Sequence, residues 1–168
     1  MKGYKVKLWI IYKDGIGFSK IIAEMLHDRL EDYIDVSVGN TKKIDPGFLI
    51  EERLDCLIIG DIISKEIPSL EVQKWLLKFW EISNKKKITL KAISGFYVVL
   101  AEIYVEPFWV EFLHDNVKAE TIYPPLLRLK LNLSELSLEN RAIELVKDYS
   151  NDFIEFIINN KKRRFKKK

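Results

Sequence analysis

Two short apolar runs constrain this chain more than any other feature. Lys7-Leu8-Trp9-Ile10-Ile11-Tyr12 and Asp55-Cys56-Leu57-Ile58-Ile59-Gly60 are rich in β-formers and show no polar alternation. A strand that is apolar on both faces must be covered on both sides, which favours a parallel sheet between helix layers. The residues after the first run fit that arrangement. Beyond Lys13-Asp14-Gly15 and the turn Gly15-Ile16-Gly17-Phe18-Ser19 the period changes: Ile21, Ile22, Met25, Leu26 and Leu30 share one helical face, while Lys20, Glu24, Asp28 and Glu31 take the other.

The alternation continues along the chain. Tyr33 to Val38 reads as a strand ended by Gly39-Asn40-Thr41, and a short segment from Pro46 to Leu54 precedes the Asp55–Gly60 strand. Leu70, Val72, Trp75, Leu76, Phe79 and Ile82 define a second amphipathic helix, closed by Asn84-Lys85-Lys86-Lys87, whose positive charge suits a helix C-terminus. Ile88 to Gly95 is the next strand. Phe96 to Val105 is too apolar for an ordinary loop, and Pro107 suits the first position of a helix running to about Asp115. Ala119–Tyr123 and Leu126–Leu131 flank Pro124-Pro125, which prevents one continuous central strand. Ser137 can cap a last helix that buries Ala142, Leu145, Val146, Tyr149, Phe153, Phe156 and Ile157. Strands alternating with helices predict an α/β fold, a three-layer α/β/α sandwich around a parallel sheet. The stretch 96–131 fits that scheme least well.

Length and composition agree with one such domain. The 168 residues are 48% hydrophobic, with only seven Gly and five Pro, enough for one core and too ordered for a low-complexity chain. A single cysteine, Cys56, rules out an internal disulfide framework and fits a reducing compartment; inside the third strand it is expected to be a buried, inert hydrophobe. No apolar run is long enough to span a membrane, and the N-terminus has no signal-peptide core, so the expected location is the cytoplasm. The net charge of +3 hides an asymmetry: seven basic side chains fall within Lys161–Lys168, so residues 1–160 carry −4. We therefore expect a domain over 1–160 and a basic, unstructured arm over 161–168, a candidate contact for polyanions or simply a solubilising end. An acidic body argues against a domain built to grip nucleic acid.

In a doubly wound sheet, ligands sit where loops leave the carboxyl ends of the strands. Those loops are expected at Lys13–Ser19, Asp61–Ile67 and Gly95–Tyr97. The first opens directly into a helix, whose free amides and dipole favour an anion. Here the sequence resembles the flavodoxin-like proteins. Their first loop has the pattern Ser/Thr-x-Thr-Gly-x-Thr, with a small residue four positions after the last Thr; this chain has Asp14-Gly15-Ile16-Gly17-Phe18-Ser19 and then Ala23. Gly17 matches the family's Gly, Ser19 its last Thr, and Gly60 the Gly that ends its third strand, so the resemblance spans roughly residues 5–158. It implies five parallel strands in the order 2-1-3-4-5, bound FMN, and a role in electron transfer or as an oxidoreductase, with a redox protein or a quinone-like molecule as partner. By this resemblance the cofactor contacts are Asp14, Gly15, Ile16, Gly17, Phe18 and Ser19 at the phosphate, Asp61 and Ile62 after the third strand, and Gly95, Phe96 and Tyr97 after the fourth, with Phe96 or Tyr97 flanking the ring.

The departures open a second reading. Asp14 and Ile16 replace two phosphate-binding hydroxyls, and Gly60-Asp61-Ile62-Ile63 stands where the family commonly has Gly-Ser-Pro and an aromatic. A carboxylate at 14 repels a phosphate monoester unless it points away. The alternative function is thus a flavodoxin fold that has lost its flavin site and serves as a binding or assembly module. Asp14 and Asp61 as an acid–base pair compete with a helix-capping and a solvated-loop reading. His27 reads as exposed and His114 as a helix-end cation, with no ligand partners at metal spacing. Trp80 with Phe108, Trp109 and Phe112 offers an apolar patch of the kind used in oligomers.

Overall fold

A computed structural model describes residues 5–100, 106–123 and 126–165. The elements are β1 (Lys7–Tyr12), α1 (Phe18–Leu30), β2 (Asp35–Asn40), α2 (Pro46–Glu51), β3 (Cys56–Ile63), α3 (Leu70–Lys85), β4 (Ala92–Val99), α4 (Glu106–Asn116), β5 (Leu127–Asn132), β6 (Ser137–Leu138) and α5 (Ala142–Phe165). The sheet order is β2-β1-β3-β4-β5-β6. The first five strands run parallel, in the predicted order, and the two-residue β6 adds an antiparallel edge to β5.

The doubly apolar strands do what their composition demands. Leu8, Ile10, Cys56, Ile58, Phe96 and Val98 face the layer formed by α1 and α5. Trp9, Ile11, Leu57, Ile59, Ile93, Tyr97 and Val99 face the layer formed by α2, α3 and α4. Alternate residues of one strand thus enter two separate apolar cores. Cys56 is fully buried, as expected.

Several boundaries move. The second strand begins at Asp35 and runs through Gly39 and Asn40, because β1 pairs along its whole length with it, Tyr12 opposite Asn40. The third strand does not stop at Gly60 but carries Asp61, Ile62 and Ile63. Ile88 looks like a strand residue in sequence, yet α3 is still closing there: Lys87 takes a left-handed conformation (φ 56) and the Ile88 amide donates to the Ser83 carbonyl at 2.8 Å, while Leu90 makes an isolated parallel bridge to Ala119 outside the fourth strand. The fourth strand starts at Ala92 and absorbs Phe96 to Val99 as partners of Gly60 to Ile63. This resolves half of the ambiguous 96–105 stretch; 101–105 lie outside the described residues.

The predicted interruption at Pro124-Pro125 has a structural counterpart. Ala119 and Ile122 bridge Leu90 and Ile93 in parallel, and after the two prolines, which lie outside the described residues, Leu127 resumes opposite Phe96. Ser137 does not cap the last helix. Its backbone pairs with Asn132 at the sheet edge, Leu136 turns the chain with φ 48, and α5 starts at Ala142. The helix then runs through Phe165, so Lys161 to Phe165 continue its backbone where an unstructured arm was expected. Lys and Arg are good helix formers, and positive charge at a helix C-terminus complements the dipole. Residues 166–168 lie outside the described residues.

Candidate functional site

The carboxyl ends of β1 and β3 are neighbours, so their loops leave from one place. The Lys13 amide, one residue past β1, donates to the Gly60 carbonyl at 2.9 Å and ties the two loop roots together. Beyond it the chain turns sharply. Asp14 Oδ1 accepts from the Gly15 amide at 3.0 Å, which holds this exposed carboxylate on its own loop. Gly17 sits at the N-cap of α1 in the left-handed region (φ 92), a conformation that any side chain would strain. No atom lies within 4 Å of where a Cβ on Gly15 or Gly17 would stand, so the space above the loop is open.

No side chain caps α1. The first amides of an α-helix have no partner inside the helix. Beside them Ser19, in the first turn, is only 1% exposed, and its Oγ has no hydrogen-bond partner. A buried hydroxyl without a partner costs about 1 to 3 kcal/mol, a penalty that a ligand oxygen at this position removes. Ile16 is 62% exposed and Phe18 packs partly against the α1–α5 core.

The loop after β3 begins at Ser64, three residues later than expected, because Asp61 and Ile62 belong to the strand. Asp61 is completely buried. Its carboxyl accepts from the Ile62 amide at 2.8 Å and from the Ser69 amide at 2.7 Å, the latter closing the loop onto the start of α3. Burial raises its pKa above the usual aspartate range, with the amides of Ser69 and Ile62 and the charge of Lys13 opposing the shift. Ile67 and Leu70, on the loop and the first residue of α3, are 51% and 64% exposed. Exposed apolar side chains therefore occur on both loops at this end of the sheet.

The remaining sequence candidates fall elsewhere. Gly95, Phe96 and Tyr97 are not a loop: they lie within β4, and Phe96 and Tyr97 are fully buried on opposite faces. Tyr97 stacks on Trp109, ring centroids 5.5 Å apart. Neither ring presents a free face, because β4 continues to Val99 and both of its faces are covered by helices. Asp14 and Asp61 form no hydrogen bond with each other; one is exposed on its loop and the other is fastened to α3, so the paired acid–base arrangement is absent among the described residues. Asp14 also does not cap α1. Trp109 is buried, so it cannot belong to the expected apolar patch, of which Trp80 and Phe108 remain exposed. His27 is half-buried and, against expectation, has carboxylates at ligand spacing: Asp28 at 3.2 Å and Glu31 at 3.8 Å. Two exposed acids pairing with one imidazole on a helix surface account for that grouping.

Sequence reasoning missed Ser69, Ile67 and Thr41. Thr41 follows β2; its amide donates to the Tyr12 carbonyl at 3.0 Å and its Oγ1 to Glu71 Oε1 at 2.5 Å, so the loop after β2 is bonded to both β1 and α3. Only Ser69, a cap-type residue one position before a helical period, carried a local signal.

No family model matches the chain, and no curated protein matches its sequence. Solved structures do match in shape. An archaeal flavodoxin superposes with a TM-score of 0.71 at 17% identity, covering 90% of this chain and 99% of that one. Flavodoxin 2 from Bacillus cereus gives 0.67 at 17% identity, covering 89% and 99%. Rubredoxin oxygen:oxidoreductase from Desulfovibrio gigas gives 0.68 at 14% identity, covering 91% of this chain but 36% of that larger one. With its 2-1-3-4-5 parallel order, its two helix layers and these likenesses, the chain has the fold of the flavodoxins.

Proposed function

We propose that the chain binds FMN non-covalently at the carboxyl ends of β1 and β3 and serves as an electron-transfer protein. The observation that carries this reading is Ser19: a buried hydroxyl without a partner, set beside the uncapped first turn of α1 behind a left-handed glycine. A phosphate accepts hydrogen bonds from both kinds of donor and is favoured by the helix dipole. The flavodoxin fold of the structural neighbours supports the same assignment.

The residues divide by task. The amides from Ile16 to Ser19 and the Ser19 hydroxyl hold the phosphate, the Gly15 amide being taken by Asp14 Oδ1. Gly17 keeps the loop in its turn and leaves room above it. Ile16, Ile67 and Leu70 offer apolar cover at the same end of the sheet, and Asp61 acts indirectly, by fixing the 64–69 loop through the Ser69 amide. Phe96 and Tyr97 support the site from within the core rather than flanking a ring. Bound flavin supplies the redox chemistry, so the protein need contribute no acid or base. Its partner in this reading is a second redox protein.

A visible spectrum of the purified protein, followed by titration with FMN, tests the proposal. We expect flavin absorption or quenching of added FMN fluorescence at micromolar protein. Replacing Ser19 with Ala removes one charge-assisted hydrogen bond of about 1.5 to 3 kcal/mol, at least tenfold in affinity. A colourless protein that leaves FMN fluorescence unchanged at micromolar concentration overturns it.

A further inference from the structure

Next to the candidate site, on the side of β2, lies an open depression of about 310 Å³ lined by Lys42, Lys43, Lys74 and Lys78 around Trp75 and Pro46. Four ammonium groups gather here on a body whose first 160 residues carry a net charge of −4. The two carboxylates in the same lining are already engaged. Asp45 pairs with Lys78 and accepts from the Gly47 amide at 2.8 Å, while Glu71 accepts the Thr41 hydroxyl. Among the described residues, Lys42, Lys43 and Lys74 have no carboxylate partner.

The lysines are not on a loose segment. Asn40 Oδ1, itself buried, accepts from the amides of Lys42 at 3.1 Å and Lys43 at 2.9 Å and fixes the turn that carries both. Trp75 Nε1 donates to the Ile44 carbonyl at 2.8 Å, which binds the same turn to α3, the helix that carries Lys74. The patch is also continuous with the proposed flavin site. Thr41, one residue before Lys42, bonds to the last residue of β1 and to the first turn of α3.

We propose that this depression is a docking surface for an acidic protein partner, which sets clustered carboxylates against Lys42, Lys43 and Lys74. Preformed positive charge without internal partners attracts such a surface at long range and aligns it on contact. That the partner exchanges electrons rests on the function proposed above, because docking here brings it beside the loops after β1 and β3. The charge complementarity itself requires no flavin.

The probe is a fluorescein-labelled peptide of ten glutamates, its binding followed by fluorescence anisotropy at low and moderate salt. The 168-residue chain is used with Gln in place of the seven basic residues from Lys161 to Lys168, so that these charges do not contribute. In that background K42Q/K43Q/K74Q is compared with K85Q/K86Q/K87Q, which removes the same charge from exposed residues at the opposite end of α3. We expect at least a tenfold loss of affinity and a shallower salt dependence for the first, and less than a twofold change for the second. Equal loss in both variants, or none in the first, overturns the proposal. Displacement of the peptide by micromolar pyrophosphate also overturns it, in favour of a small-anion pocket. Unchanged urea midpoints in both variants keep folding out of the comparison. Binding is read without FMN, so failure here and failure of the flavin proposal are separate results.

Discussion

The ring of Phe96 lies directly against the backbone of Gly60, its register partner on the neighbouring strand: a Cβ on residue 60 would stand 2.0 Å from Phe96 Cζ. This glycine, inside the third strand, is therefore needed by a core aromatic, whatever binds above it. Gly60→Ala forces this fully buried ring to move within a packed core, where overpacking costs about 1 to 3 kcal/mol. Urea denaturation checks it, and Phe96→Leu in the same chain recovers part of the loss. Full additivity of the two substitutions would show that they do not meet.

A second non-local pair joins α5 to β4. The Tyr149 hydroxyl donates to the buried Ser94 Oγ at 2.6 Å, and Ser94 donates in turn to the carbonyl of the half-buried Tyr123 at 3.1 Å. Ser94→Ala strands the buried phenol and costs about 1 to 3 kcal/mol, whereas Tyr149→Phe leaves Ser94 its carbonyl partner and costs less. Burial pushes the Tyr149 pKa far above the ordinary tyrosine value. The unfolded chain therefore releases this proton first, and stability falls once pH rises past about 10. Tyr149→Phe flattens that alkaline loss in a urea series against pH.

How much was legible depends on which interactions are local. The apolar run Lys7–Tyr12 and the periodicity of Ile22, Leu26 and Leu30 name their own structure, because burial on both faces or on one stripe leaves a pattern within a few residues. Gly17 and Ser19 were legible for the same reason, as a turn leading at once into a helical period. Phe96 and Tyr97 were misplaced into a loop because the space for Phe96 is made by Gly60, far earlier in the chain. The strand role of Ser137 depends on Asn132 across a hairpin, and that of Asp61 on the length of β4 beside it. The lysine depression was invisible in sequence: its members come from two distant segments, brought together by Thr41–Glu71, Trp75–Ile44 and Lys78–Asp45 contacts.

Asp61 makes the 64–69 loop sensitive to pH. Its folded pKa is raised by burial above the unfolded value, so its contribution is fully present below about pH 4 and is lost as pH rises through the folded pKa. In Asp61→Asn that titration is gone. The stability difference between wild type and variant should therefore shift in the variant's favour from about pH 4 toward neutrality, seen in urea midpoints across that range. Parallel curves would mean that the buried carboxyl does not titrate between those limits.

Asp14 is where the flavin proposal meets its strongest opposition. Its carboxylate is held on the phosphate loop by the Gly15 amide, and a bound phosphate monoester adds about −1.5 to −2 of like charge beside it. The group is exposed, so solvent and salt screen the repulsion but do not abolish it. Asp14→Ser removes the charge while leaving a hydroxyl that can still accept from the Gly15 amide or donate to phosphate. FMN affinity should rise several-fold in this variant at low salt and approach wild type as ionic strength increases, measured by fluorescence quenching. Riboflavin, which lacks the phosphate, should bind wild type and variant alike. If the gain were the same for riboflavin, Asp14 would be acting on the ring or on the loop's shape, and the phosphate could not be placed at Gly15–Ser19.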